Sequence, residues 1–305
     1  MNKGVLIAIC IGLFLMGVFT GFIGFQYYDG QKRENIENGK ENESEKPKEI
    51  EVSLEDYRDL ISNLMYSYSY ASGPYLVYKN DKWQFRNADF SFKDLENTWF
   101  LDVALAHARL HTNDMDIGND KLLCPTGTIN KVGTDCKFVS DDIVKETMKT
   151  LFGKNFNYKN ETTPYWVYKD IAISPESAGA YYADINVPNQ DFAYYVENVP
   201  FKATKLDDKI YIYEAVGVRE EVPKNSKDKL TLDYYEDDQW VYDLKEVNLY
   251  NSLELKEKSK GDFLGKSSQE TTQYVKEHPD EFSQYRYTFT QEGSHYIFTN
   301  IERVK

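Results

Sequence analysis

From Val5 to Phe25 the chain is apolar and carries no charge. At about 1.5 Å of helical rise per residue the run spans about 31 Å, close to the ~30 Å hydrocarbon core of a bilayer. A lone segment in lipid satisfies its backbone hydrogen bonds only as a helix, so the pattern predicts a transmembrane anchor. Tyr27 and Tyr28 follow, at the depth where amphipathic rings prefer to sit. A cleaved signal peptide is the rival reading, but it needs a shorter apolar region and a pair of small residues. Here Phe19 precedes Gly21 and Phe22 precedes Gly24, and a lipoprotein cut at Cys10 would place Ile9 where a small residue belongs. Residues 1–28 therefore read as a cytoplasmic tail and retained anchor. Gly17 and Gly21 form a G-x-x-x-G face that can pack helix against helix in weak self-association, although Gly is common in such segments without that role.

Polar residues then take over. Residues 29–50 are dense in Glu, Lys and Asn, too poor in apolar surface to offset chain entropy, and read as a disordered tether. From 51 to 305 the periodicity is that of a folded domain, and a change in character near 158 admits a subdivision. Ser53 opens a predicted helix carrying Leu54, Tyr57, Leu60, Ile61, Leu64 and Tyr68 at helical spacing, stopped by Gly73-Pro74. Ser91 caps a second, with Leu95, Trp99, Val103 and Ala106 on one face. Ser140, Asp141 and Asp142 start a third that ends at Gly153, its apolar side supplied by Ile143, Met148, Leu151 and Phe152. A fourth runs from about Ser268 toward Phe282, with Pro279 set against its last turn.

Alternation of period two dominates the second half. Segments 164–169, 180–187, 191–199, 209–218, 230–235 and 240–244 are rich in β-branched and aromatic residues and predict strands. The closing stretch, with Gln291 to Ser294 as its turn, predicts a hairpin. Pro74 to Lys79 repeats the pattern of Pro164 to Lys169, but the flanks differ, so no duplication is inferred. Helices followed by mainly antiparallel strands imply an α+β fold, to which an NTF2-like or cystatin-like sheet packed on helices is analogous.

Composition sharpens the location. The formal net charge is −14, and Lys3 is the only charge before Asp29, so everything beyond the anchor is more acidic still. That excludes a nucleic-acid partner, which calls for basic patches. The 25 Tyr and 17 Phe could stack on sugars, yet most fall in strand-like segments where packing explains them. Cys124 and Cys136 flank a turn-rich loop and predict a disulfide in an oxidising compartment, contributing about 3 kcal/mol by loop closure. Lys32, Arg33 and Lys40 outnumber Lys3, so a count of basic residues does not favour placing the C-terminal side outside. The four-residue tail and the two cysteines decide for an extracytoplasmic domain on a single-pass membrane protein.

Candidate chemistry is sparse. His107 and His111 lie four apart, and with Asp114 and Asp116 they make weak candidates for a metal. Ala108 stands where a zinc protease carries its general base. The acidic run from Asp114 to Asp120 is out of register for a calcium loop, with Gly118 at position 5 and Pro125 at position 12. Asp207-Asp208 and Glu236-Asp237-Asp238 pair carboxylates as glycosidases do, but at expected turns. Ser174 to Gly179 lacks the nucleophile-elbow pattern, and no phosphate-binding glycine motif occurs. Catalytic residues are unknown on this reading, and no cofactor is implied.

The final hairpin, with Tyr287-Thr288-Phe289, Tyr296-Ile297-Phe298 and Ile301-Glu302, resembles the C-terminus of uncharacterised, N-terminally membrane-anchored proteins of low-GC Gram-positive bacteria. The resemblance covers about 20 residues and implies the anchored layout, with no functional residues to carry over. The expectation is a non-catalytic binding or interaction module held in the cell membrane through residues 5–25, with an envelope protein or glycan as partner. The alternative is an envelope hydrolase acting on glycan or peptide.

Overall fold

The structure is a computed structural model that describes residues 48–64, 73–80, 82–111, 138–170, 178–183, 194–223, 234–236, 239–241, 244–264 and 266–305. The expected anchor with Gly17 and Gly21, nearly all of the tether, Cys124, Cys136 and Asp114 lie outside these residues. Among those described, no helix is long and apolar enough to cross a membrane. From Glu49 to Lys305 the chain forms one compact unit.

Its architecture is α+β, with every sheet antiparallel among the described strands. In chain order the elements are β1 (Ile50–Val52), α1 (Arg58–Ser62), β2 (Leu76–Lys79), β3 (Lys82–Phe85), α2 (Asn97–His111), β4 (Phe138–Ser140) and α3 (Asp141–Phe152). There follow β5 (Trp166–Lys169), β6 (Ala180–Ala183), β7 (Tyr194–Leu206), β8 (Lys209–Pro223), β9 (Tyr234–Glu236), β10 (Gln239–Val241) and β11 (Leu244–Tyr250). The chain ends with α4 (Ser268–Glu277), β12 (Ser283–Glu292) and β13 (His295–Arg303). The main sheet runs β1-β7-β8-β12-β13, with β11 also paired to β8. Smaller sheets are β4-β6-β5, β2-β3 and β9-β10.

β8 carries the sheet because its sequence alternates along its length, with Glu214 as the one charged residue in the inward row from Ile210 to Val218. Ile210, Ile212, Glu214, Val216 and Val218 point to one face and are all buried. That face packs with Tyr285, Tyr287 and Phe289 of β12 and with Phe298 and Ile301 of β13 against α2 and α3. Phe298 is the meeting point: its ring lies 5.3 Å from Phe92, 6.0 Å from Trp99, 6.4 Å from Phe152 and 5.7 Å from Phe289. The opposite face carries a smaller core in which Val199, Ala215, Val247 and Leu249 meet Phe263, Phe282 and Val275 of α4. Gly217 admits that layer, because a Cβ there would stand 3.0 Å from the Phe282 ring and 3.0 Å from the Tyr250 carbonyl oxygen.

α2 differs from its expected one-faced pattern. Every residue from Trp99 to Ala106 is buried, as befits a helix that is apolar nearly all round and enclosed on all sides. Ser91 does form a capping box with Asp94, but on a 3-10 turn over Phe92–Asp94. Leu95 then goes extended at ψ 129°, and the α-helix starts afresh at Asn97.

The first predicted helix is also corrected. Ser53 caps nothing: a 3-10 turn over Glu55–Tyr57 precedes α1, which closes at Asn63. Tyr57, at φ −125° and ψ 8°, interrupts the helical path, so Leu64 falls beyond the helix end, although it is still buried. α3 follows expectation, from Ser140 to Gly153, whose φ of 96° suits a residue without a side chain. Its buried set includes Val144, while Ile143 is only partly covered. α4 stops before Pro279, and the chain continues as a 3-10 turn over Pro279–Glu281.

Of the expected strands, β7 and β8 run longer and β5 is shorter, while positions 184–187, 191–193, 230–233 and 242–243 lie outside the described residues. β7 and β8 reach Leu206 and Pro223 and turn at Asp207, which is in the left-handed region at φ 54°. β10 ends at Val241, and β11 continues to Tyr250. The last hairpin turns on Gly293-Ser294, two residues tighter than its sequence suggested. The two look-alike segments both end as strands, β2 and β5.

Truncating Phe298 to Ala removes the ring on which both helices and two strands converge. The expected cost is about 3–5 kcal/mol. Denaturant unfolding should show it as a fall in midpoint with the slope unchanged.

Candidate functional site

A groove opens where β4 passes into α3. It encloses about 850 Å³ and is lined by His107, Asp141, Asp142, Glu146, Tyr158 and Asn160 among others. Local structure explains each placement. Ser140 leaves β4 in extended conformation and α3 begins at once, which sets Asp141 and Asp142 in its first turn. Acidic side chains are common in that position, where the helix's free backbone N–H groups point. Asp141 is tied to the approach of β6: its backbone N–H donates to the Gly179 carbonyl at 3.0 Å, and the Ala178 N–H donates to its Oδ1 at 3.1 Å. Asp142 Oδ1 is buried with no hydrogen-bond partner among the described residues. Glu146 lies one turn on and pairs with Lys149 at the surface.

The other wall is aromatic and amide. The Tyr158 phenol is pushed up to about 12, chiefly by burial and then by the charges of Asp141 and Glu146. Asn160 is held in place by Tyr181, whose hydroxyl donates to its Oδ1 at 2.8 Å. Three carboxylates against Lys145 make the groove acidic. Its chemistry is that of acceptors beside a ring, which suits ammonium groups and sugar hydroxyls.

His107, one of the expected metal candidates, stands on this groove. His111 is the last residue of α2, and its side chain lies outside what is described, as does Asp114. Among the described residues no group of His, Cys, Asp and Glu is placed to hold a metal ion. Asp207 and Asp208 are exposed at the β7–β8 turn, and Glu236 closes β9. Asp237, Asp238 and Ser174 lie outside the described residues.

A second groove of about 510 Å³ lies beside β3. Its Arg86 is fully committed to structure, donating from Nε to the Pro74 carbonyl at 2.7 Å and from Nη1 to the Asp94 carbonyl at 2.9 Å, with Glu96 as ion-pair partner.

Three buried acidic sites were not expected from the sequence. Glu214 lies wholly inside the main core, accepting from Tyr75, from Tyr287 at 2.9 Å and from Asn198 at 2.9 Å. Asp102 sits in the middle of α2 and accepts from Thr163. Beneath α4, Arg219 joins Glu197 at 2.8 Å and Glu221, while Thr271 and Thr272 donate to Glu197 at 2.9 and 2.6 Å. A signal for two of them was present. Glu214 interrupts the alternation Ile210, Ile212, Val216, Val218, and Asp102 interrupts an apolar helical run. All three sites face inward and are engaged by internal partners.

Comparison with protein-family models, with curated proteins and with solved structures finds no match to this chain.

Burial holds the Asp102 carboxyl well above its usual range, outweighing the Thr163 bond that pulls it down. A raised folded-state value gives stability that is complete below the unfolded pKa and is lost as pH rises through the folded one. Asp102→Asn keeps the acceptor and removes the titration. Thermal melts between about pH 4 and pH 7 should therefore show the variant gaining on the wild type as pH rises. A constant difference would contradict this.

Proposed function

We propose that the chain is a membrane-anchored binding module that presents its α+β domain outside the cytoplasm and takes its partner on the periphery of the fold. The observation that carries this reading is the filled sheet face. Ile212, Tyr287, Phe289 and Phe298 are enclosed between the sheet and the helices, so among the described residues that face of the sheet offers no room to a ligand. The open groove at α3 is left as the recognition surface, and its acidic lining beside Tyr158 suits an amine-bearing glycan or a basic peptide segment of an envelope protein.

The remainder of the layout rests on sequence. Residues 1–28 anchor the chain, 29–50 tether it, and 51–305 form the extracytoplasmic domain, stapled by a Cys124–Cys136 disulfide. Gly17 and Gly21 give the anchor a face for weak self-association. The long antiparallel β7–β8–β12 ribbon with α2 and α3 packed on one face supports the NTF2-like or cystatin-like analogy, although α4 covers the other face. The final hairpin supports kinship with anchored proteins of low-GC Gram-positive bacteria.

A second reading, a hydrolase acting on glycan or peptide, draws on one feature of the same groove: His107 shares it with Asp141, Asp142 and Glu146.

Retention from cell-envelope extracts separates the two readings. Immobilised full-length protein should hold a glycan or protein partner, and Glu146→Lys with Asp142→Lys should weaken retention roughly tenfold. A chain that retains nothing contradicts the binding module. Release of cleaved glycan or peptide, lost in His107→Ala, would establish the hydrolase instead.

A further inference from the structure

Three oxygens meet in the centre of the main core. Tyr75 and Tyr287 each bond to Glu214 Oε2, the latter at 2.9 Å, and their two hydroxyls lie 2.9 Å from one another. The three atoms thus form a closed triangle of hydrogen-bond contacts. Each edge needs one hydrogen, and the two phenols supply two. With an ionised Glu214, one edge would set two lone-pair-bearing oxygens against each other without a proton between them. A third hydrogen, on the carboxyl, closes the ring so that every oxygen donates once and accepts once. Oε1 stays free to accept from Asn198 Nδ2 at 2.9 Å.

We propose that Glu214 is carried as the neutral acid at physiological pH, and that this three-proton ring is an alkali-sensitive latch joining the segment Gly73–Tyr75 to the main sheet. The surroundings agree. Glu214 is 0% exposed, and among the described residues no Lys, Arg or His bonds to it. The groups that face it are Tyr75 from the segment before β2, Tyr287 from β12 and Asn198 from β7. Tyr285, its cross-strand neighbour on β12, spends its hydroxyl on the Ala88 carbonyl at 2.6 Å. Burial, the largest influence, raises the Glu214 carboxyl even against its three donors, and it raises both phenols as well.

The latch matters for what it holds. Pro74, next to Tyr75, receives the Arg86 Nε–H, so the segment also supports the β2–β3 hairpin. When hydroxide removes the Glu214 proton as water, the ring is left with two hydrogens for three edges, and a buried anion without a cation remains. Tyr75 then loses one of its two partners, and the segment loosens from the sheet.

Infrared spectroscopy of the full-length protein reads the proton directly. Uniform carbon-13 labelling of glutamate separates Glu214 from Asp102, whose neutral carboxyl would absorb in the same region. At pH 7 a protonated-carboxyl band that moves with the glutamate label is expected. It should vanish in Glu214→Gln, shift in Tyr75→Phe, and disappear reversibly on alkaline titration of the wild type. Should Glu214→Gln fail to fold, the labelled wild type and Tyr75→Phe still decide. A wild-type spectrum with every glutamate ionised at pH 7, or a labelled band indifferent to Tyr75→Phe, overturns the proposal.

Discussion

The fold depends on one strand being covered on both faces. β8 pairs with β7 along one edge and with β12 and β11 along the other, so its backbone groups are spent within the sheet. Its side chains alternate into two cores, a large one toward α2 and α3 and a smaller one beneath α4. Everything else is placed by reference to this ribbon. The helices lie where its apolar rows need cover, and the grooves fall at the margins where helices meet short strands. A scaffold filled to its centre has its open grooves at the edges, the α3 groove among them.

Buried acid is the second constraint. A carboxyl group inside a core is costly unless it is neutral or bonded. This protein uses two solutions. Glu197 and Glu221 remain near the Arg219 guanidinium, which also lies over the Tyr195 ring at 4.4 Å. Glu214 and Asp102 have hydroxyl or amide donors and no cation among the described residues, and both are pushed toward the neutral acid. Removing a paired charge from such a site strands its partner, whereas a neutral acid can be replaced by its amide at little cost. The acidity of the sequence is therefore partly internal, and only part of it reaches solvent.

Legibility in the sequence followed the strength of the periodic signal. β8 and the last hairpin alternate over eight or more residues and were readable, as was α3, bracketed by Ser140 and Gly153. Short elements were not. β1 and β4 are three residues each, too brief for any period, and they exist because β7 and β6 offer them edges. Ser53 and Ser91 offered the same capping pattern, but only Ser91 uses it, and on a 3-10 turn, because helix start depends on what the chain packs against next. For the site, His107 was visible through its spacing to His111, while its neighbours Asp141, Asp142 and Tyr158 come from distant segments that only the fold brings together.

Native-state hydrogen exchange tests the claim that β8 is the spine. If it is, the amides of Ile210 to Val218 exchange only through global unfolding, and their opening free energies equal that of the whole unit. Amides of β4 and of the first turn of α3, beside the groove, should exchange through smaller openings. A β8 that opens more readily than β13 or α2 would contradict the account, because the fold would then be held by something other than its doubly covered strand.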